Sequence, residues 1–349
     1  MADIDINLYS DTQTKPTQAM RQAMAEAPVG DEQRGEDPSV NELCAKVADL
    51  LGKDAAMFLP SGTMCNEIAI LVHCRQGDEI IADQTAHIIN AEGGGPAALA
   101  GAIIRPLAGA RGIFDAEALG GVLRDAGRYT PNSRLVVVEQ TSNFGGGTVW
   151  PLETVAAVEQ VAREHGLIMH MDGARLMNAV VASAVPAREY ARHFDSLWLD
   201  LSKGLGCPVG AVLAGSDDFI AAAWRWKQRL GGAMRQAGII AAAGSHALER
   251  NVDRLAEDHA NARLFAEGIA NLPGVAVDLD AVQTNIVFFD VAGSGADAAT
   301  IADRLAERGV RIGAMGPTLM RAVTHLDVSR GQVETAAAAL RDIVVALAR

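Results

Sequence analysis

Two apolar runs, Arg134–Glu139 (RLVVVE) and Leu167–Asp172 (LIMHMD), flank a stretch with helical periodicity, Leu152–His165. A run without polar alternation suits a strand buried on both faces. Two such strands joined by a helix-sized segment form a βαβ unit, and this unit builds a parallel sheet. The same rhythm recurs along the chain. Strands are predicted at 55–60, 79–83, 102–107, 197–201 and 209–214, and helices at 17–27, 39–51 and 63–74. The fold class is therefore α/β, a large domain with a mostly parallel sheet flanked by helices. After Asp217 the pattern turns helical to about Asn271. It then alternates again: strand 284–290, helix 297–308, a short strand near 310–312, strand 320–325 and helix 330–348. That is a small C-terminal α+β domain. The division expected is an N-terminal segment 1–30, which packs on a neighbour, a large domain 31–255 and a small domain 256–349, with the break falling between 245 and 275.

A chain of 349 residues, 49% of them hydrophobic, is long enough for more than one core. Its formal charge of −13 and pI near 5.1 disfavour nucleic acid and anionic membranes. A small-molecule partner is expected instead. The opening MADIDINLYSD is acidic and lacks the apolar stretch of a signal peptide. Apolar tracts such as 239–243 are too short to span a bilayer. Cys44, Cys65, Cys74 and Cys207 form no CxxC pair and have no histidines at zinc spacing. They read as reduced thiols of a cytoplasmic protein, with no metal site.

Four local signals carry chemistry. Pro60-Ser61-Gly62-Thr63 lies between a strand and a helix, where backbone N–H groups and a helix N-terminus suit a phosphate. The same residues also suit an ordinary helix cap. His170–Arg175 (HMDGAR) closes a buried strand with Asp172, at the sheet edge where α/β sites form. That carboxylate can hold a protonated pyridine nitrogen, or simply cap a helix. Leu199–Gly206 (LDLSKGLG) sets Lys203 directly after an apolar strand. Burial of a lysine is costly unless its charge is paired or removed, as in a Schiff base; a surface lysine with a buried stem is the other reading. Gly231–Gln236 (GGAMRQ) offers Arg235 to an anion or leaves it solvated on a turn.

The order of these pieces resembles the aspartate-aminotransferase fold class of pyridoxal-phosphate enzymes, the type I transferase fold. Within it the chain is similar to the low-specificity L-threonine aldolases. The matching stretches are LYSDTQTKP (8–16), PVGDEQRGEDP (28–38), FLPSGTMCN (58–66), HMDGARLMN (170–178), LSKGLGCPV (201–209), GGAMRQAG (231–238) and RAVTHLDVS (321–329). The resemblance implies an aldehyde-lyase that cleaves an L-β-hydroxy-α-amino acid of the threonine or allo-threonine type to glycine and an aldehyde. It implies pyridoxal 5′-phosphate on Lys203, with Asp172 on the ring nitrogen and His87 stacked on the ring and close to the substrate hydroxyl. Gly62, Thr63 and Ser202 would bind the phosphate, with Arg235 reaching it across a subunit interface, and Arg175 belongs to the same cofactor set. Ser10, Arg175 and Arg321 would grip the α-carboxylate, since a guanidinium fork meets a carboxylate bidentately. A homotetramer, a dimer of dimers with active sites at the dimer interface, is implied as well.

Three positions depart from the family pattern. Tyr9 stands where an Arg is common, Arg34 where a Tyr is common, and Ser142 where many members carry a His. Ser142 cannot act as a base near neutral pH, which leaves His87 or a water for the β-hydroxyl. These changes point to the aldehyde half of the substrate, with Arg34 suited to a distal carboxylate. Alternatively, Tyr9 and Arg34 exchange places in one packing arrangement. A β-eliminating lyase or transaldolase acting on a related acidic or aromatic hydroxy amino acid would use the same Lys203, Asp172 and Arg321. A cofactor-binding scaffold would need none of them, and no GxGxxG follows an early strand, as a nicotinamide enzyme would require.

Overall fold

The computed structural model describes residues 4–124 and 127–347. Its main sheet has seven strands in the order Ala55–Leu59, Ala211–Gly215, Ser196–Asp200, Ile168–Asp172, Asn132–Glu139, Asp78–Asp83 and Ile103–Leu107. Ala211–Gly215 runs antiparallel to both its neighbours, and the remaining pairs are parallel. The predicted mostly parallel sheet is therefore present. Six strands point the same way, so the chain leaves them along one edge, at Ser61, Thr85, Ala108, Gln140, Gly173 and Ser202. Helices cover the sheet because its strands are apolar on both faces: Val136, Val138, Met169 and Met171 lie in one core layer and Leu135 and Val137 in another.

A second core lies apart from the first. Ile286–Asp290, Leu319–Val323 and Gly313–Ala314 form a small antiparallel sheet. Phe265 and Ile269 from the helix Leu255–Ile269, and Leu340 and Val344 from Arg330–Leu347, pack there with Val287 and Phe289. Ile6 and Leu8 enter the same core, and Ile6–Asn7 pairs in parallel with Val310–Arg311. The N-terminal segment thus bridges back to the end of its own chain.

Element ends differ from the sequence pattern for local reasons. The strand expected from 284 begins at Ile286, because the Thr284 hydroxyl donates to the Gly147 carbonyl and the Asn285 amide donates to Asp11 and to the Thr324 carbonyl. The helical stretch after Asp217 divides into Asp217–Arg229, Gly238–Arg250 and Leu255–Ile269; the first break contains Gly231 at φ +74°. The last helix is described to Leu347, and position 348 lies outside the described residues. His87–Asn90 and Gly95–Ala100 are too short for a periodic signal. Among the described residues no helix is long and apolar enough to cross a membrane.

Candidate active site

The aligned strand ends open into a cavity of about 400 Å³. Tyr9, Ser10, Gly62, Thr63, His87, Asp172, Ala174, Arg175, Ser202, Lys203 and Arg321 line it, so nine of the twelve residues singled out from sequence meet in one place, alongside Tyr9 and Ala174. They come from both cores and from the N-terminal segment. Ile6–Asn7, paired with Val310–Arg311, ties that segment to the small core beside the cavity.

Lys203 leaves the strand Ser196–Asp200 through a tight turn. Asp200 Oδ1 accepts from the Ser202 backbone N–H at 2.8 Å and from its hydroxyl at 2.9 Å, while Asp200 Oδ2 pairs with Lys203 Nζ. The ammonium also lies 5.6 Å over the Trp198 ring. Asp172 is buried; its Oδ1 accepts from the Ala174 N–H at 3.0 Å and its Oδ2 from Asn66 Nδ2 at 2.8 Å. Burial raises its pKa, so a cationic partner would relieve it.

His87 Nδ1 lies 2.8 Å from Glu92 Oε1, which leaves Nε2 for the cavity. The Glu92 bond raises the imidazole pKa. The His87 backbone N–H donates to Glu139 Oε2 at 2.6 Å, and the Asn143 N–H donates to Glu139 Oε1 at 2.7 Å. Burial and the nearby Asp172 charge push Glu139 up to about 7. One ligand atom each from His87, Glu92 and Asp172 lies within 4.8 Å of the others. Their oxygens and ring nitrogen already bond to one another through Asn66, so the set reads as a hydrogen-bond network.

The two arginines have different situations. Arg175 Nε and Nη2 donate to the two Asp11 oxygens, each at 2.7 Å, and both side chains are buried. Burial opposes ionisation of Asp11, but the Arg175 charge and hydrogen bonds outweigh it and hold the carboxyl well below the usual range. Arg321 has no carboxylate within ion-pair distance among the described residues. Its Nη1 donates to Asn143 Oδ1 at 3.2 Å, and its Nε is buried without an acceptor. Burial and the neighbouring Arg175 charge lower its pKa. A buried guanidinium with an unused donor calls for an anionic ligand. Arg175, expected to grip a carboxylate, spends Nε and Nη2 on Asp11, and its Nη1 donates to Asn143 Oδ1 at 3.3 Å.

Three expected site residues stay outside the cavity of their own chain. Ser142 is buried, and its Oγ accepts from the Gly145 N–H at 3.2 Å, enclosed between Gly112 and Gly145. Its neighbours Asn143 and Phe144 line the cavity. Arg34 is exposed on the turn Glu32–Arg34 and touches no part of the cavity in its own chain. Arg235 is exposed too and pairs with Asp31 at 2.9 Å. Both turns are fastened together by the buried pair Lys227–Glu32 and by the Met234 N–H to Glu32 Oε2 bond at 2.8 Å. Tyr9 lies under the Arg311 guanidinium at 4.5 Å, and among the described residues no hydrogen bond or ion pair joins it to Arg34.

Sequence reasoning passed over Asp11, Asn66, Glu92, Glu139, Asn143, Trp198 and Asp200. For two of them the signal was present: Glu139 and Asp200 each close a buried strand with an acid, the pattern that singled out Asp172. Asn143 and Glu92 sit in loops where no spacing marks them.

The beta-eliminating lyase model matches residues 7–292. The low specificity L-threonine aldolase of Escherichia coli (strain K12) is 42% identical over 334 residues, covering 95% of this chain and 97% of that protein. The low-specificity L-threonine aldolase 1 of Arabidopsis thaliana is 38% identical over 333 residues, 94% of this chain and 93% of its own. Among solved structures, the threonine aldolase of Leishmania major superposes with a TM-score of 0.84 at 20% identity, over 97% of this chain and 99% of that one.

Proposed function

This chain belongs to the beta-eliminating lyase family and groups there with the low-specificity L-threonine aldolases, and from that premise we propose that it cleaves L-threonine or L-allo-threonine to glycine and acetaldehyde. The observation that carries the reading is the cavity itself, which sets the Lys203 amine, a buried carboxylate and an arginine with an unused buried donor around one space.

The residues present fit pyridoxal phosphate. Asp172 is a buried carboxylate whose charged form lacks a cationic partner in direct contact, and a protonated ring nitrogen would supply one. The helix Gly62–His73 points its N-terminus into the cavity, where Gly62, Thr63 and Ser202 would take the phosphate. Gly62 admits no side chain, because a Cβ there would lie 2.1 Å from the Trp198 ring. When bound through Lys203, the cofactor supplies an electron sink for bonds at the substrate Cα.

The chain's own residues do the rest. Arg321 holds the α-carboxylate, helped by Ser10 and by the remaining Arg175 Nη1. Asp11 keeps Arg175 fixed. Asp200 would hold the Lys203 amine once the substrate has displaced it. His87 lies against the ring and offers Nε2 to the β-hydroxyl proton, while Glu92 fixes the imidazole through Nδ1. Phe144 and Tyr9 border the space for the aldehyde half.

The exposed Arg34 and Arg235 are read as serving a second subunit, Arg235 at the phosphate and Arg34 at the substrate's distal end. This supports a homotetramer with its sites at a dimer interface. Cleavage of 3-hydroxyaspartate that survives Arg34→Ala would remove Arg34 from the substrate contacts. The separate cores support the division at 31–255 and 256–349, and the four free cysteines support a cytoplasmic location.

The test is an absorption spectrum of wild type and Lys203→Ala, followed by L-threonine. A Lys203-dependent visible band, with glycine and acetaldehyde as products, is expected. 2-Oxobutanoate and ammonia would point to β-elimination, and no band after adding pyridoxal phosphate would end the proposal.

A further inference from the structure

Behind His87 and Glu92 lies a second carboxyl group, Glu67, that the proposed reaction does not use. Glu67 sits on the helix Gly62–His73, directly after Asn66, and is 5% exposed. Its carboxyl is within hydrogen-bonding reach of Glu92. Both Glu67 oxygens, and Oε2 of Glu92, are buried and have no donor among the described residues. Glu92 Oε1 is already taken, by Asn66 Nδ2 at 2.7 Å and His87 Nδ1 at 2.8 Å. The backbone closes over Glu67 at Gly95, where an added Cβ would lie 1.8 Å from Glu67 Oε1.

We propose that Glu67 is a positioning residue of this active site: it shares one proton with Glu92, and the pair governs the protonation and orientation of His87. This rests on the reading of the cavity as the aldolase site. Two carboxylates in contact away from water cannot both be charged. A protonated Glu67 donates its O–H to Glu92 Oε2, satisfying two of the three orphaned oxygens. Glu92 then stays a single negative charge and remains the acceptor for the His87 ring. Through Asn66 the same carboxylate is tied to Asp172.

The charges around this pair are few. Glu92 is the charged group acting on Glu67, and burial with that charge pushes Glu67 up to about 8. His87 is faced by Glu92, Asp172 and Glu139; Asp172 is faced by Glu92, His87 and Lys203. As pH rises through the Glu67 value, a second negative charge appears beside Glu92, and the bond that holds His87 is disturbed.

The experiment titrates His87 by ¹⁵N-histidine NMR in the cofactor-free protein, with the resonance assigned by its absence in His87→Asn. The alkaline limb of kcat/KM is measured alongside in the holoenzyme. Wild type should show a second inflection in the His87 shifts near pH 8. Glu67→Gln, whose amide donates to Glu92 at every pH, should lose that inflection and the matching break in kcat/KM. Glu67→Leu removes both the donor and the charge that appears near pH 8, so it should lose the inflection as well while leaving Glu92 Oε2 without a donor. Should the leucine variant not fold, the glutamine variant alone decides. A wild-type His87 titration with no inflection near pH 8, or one identical in Glu67→Gln, overturns the proposal. The NMR readout needs no cofactor, so it stands apart from a missing Lys203-dependent band, which would instead sink the aldolase reading.

Discussion

Arg321 and Arg175 show how two arginines in one cavity take different work. Arg175 spends its fork on Asp11 and becomes part of the wall. Arg321 keeps a buried Nε without an acceptor, a costly state that a ligand carboxylate would relieve. Arg321→Lys is therefore expected to raise KM for threonine by roughly 10- to 100-fold, the loss of one charge-assisted bidentate contact. The cofactor band should remain, since Arg321 is not among the residues assigned to the cofactor. Steady-state kinetics checks this, and an unchanged KM would transfer the carboxylate to another group. At this scale the sequence was readable where a residue stands alone at a strand end, as Lys203 and Asp172 do. It was not readable for Arg175, because its partner Asp11 lies 164 positions away.

At the level of elements, the phosphate cup depends on a close fit between the helix Gly62–His73 and the strand Ser196–Asp200. Trp198 on that strand donates its indole N–H to Asn66 Oδ1 at 2.7 Å, which fixes its ring against Gly62. Gly62→Ala would place a methyl group into that ring. The expected cost is about 1–3 kcal/mol in stability, as in other overpacked sites, together with weaker cofactor binding as the helix N-terminus shifts. Denaturant melts and pyridoxal-phosphate titration measure both; wild-type values in each would mean the ring moves aside freely. The SGT tripeptide was visible in the sequence as a cap or a phosphate cup. What forced glycine there was not visible, since Trp198 arrives from a distant strand. Ser142 shows another effect hidden from the sequence: motif position points to the substrate, while in the loop 142–148 its hydroxyl accepts from the Gly145 N–H.

For the whole molecule, buried titratable groups predict how stability responds to pH. Burial lowers His73 to about 4, His170 to about 3 and His259 to about 4. These histidines stay neutral when folded, so stability is lost as pH falls below about 6.5, where the unfolded chain takes up protons. Glu139 and Glu67 are raised to about 7 and about 8. Their contribution is present below the unfolded carboxyl value and is lost as pH rises through the folded values. Between pH 6.5 and 8 the unfolded histidines give up their last protons while the acids still titrate, and the acids win, so the cofactor-free protein should lose stability on the order of 1 kcal/mol over that interval. Urea melts at a series of pH values test this. A flat or rising profile from 6.5 to 8 would mean that neither acid is held protonated.

The sequence by itself determined the α/β rhythm, the strand-end acid and lysine, and the family resemblance. These are local properties: apolar period, turn chemistry and residue order act over a few positions. Only the tertiary structure decided that Asp11 claims Arg175, that Glu92 and Glu67 stand behind His87, that Trp198 demands Gly62, and that Arg34 and Arg235 face away from their own cavity. Each of these is a contact between segments far apart in the chain, set by how the sheet edge, the small core and the N-terminal strand converge, and no local pattern encodes a distance across that convergence.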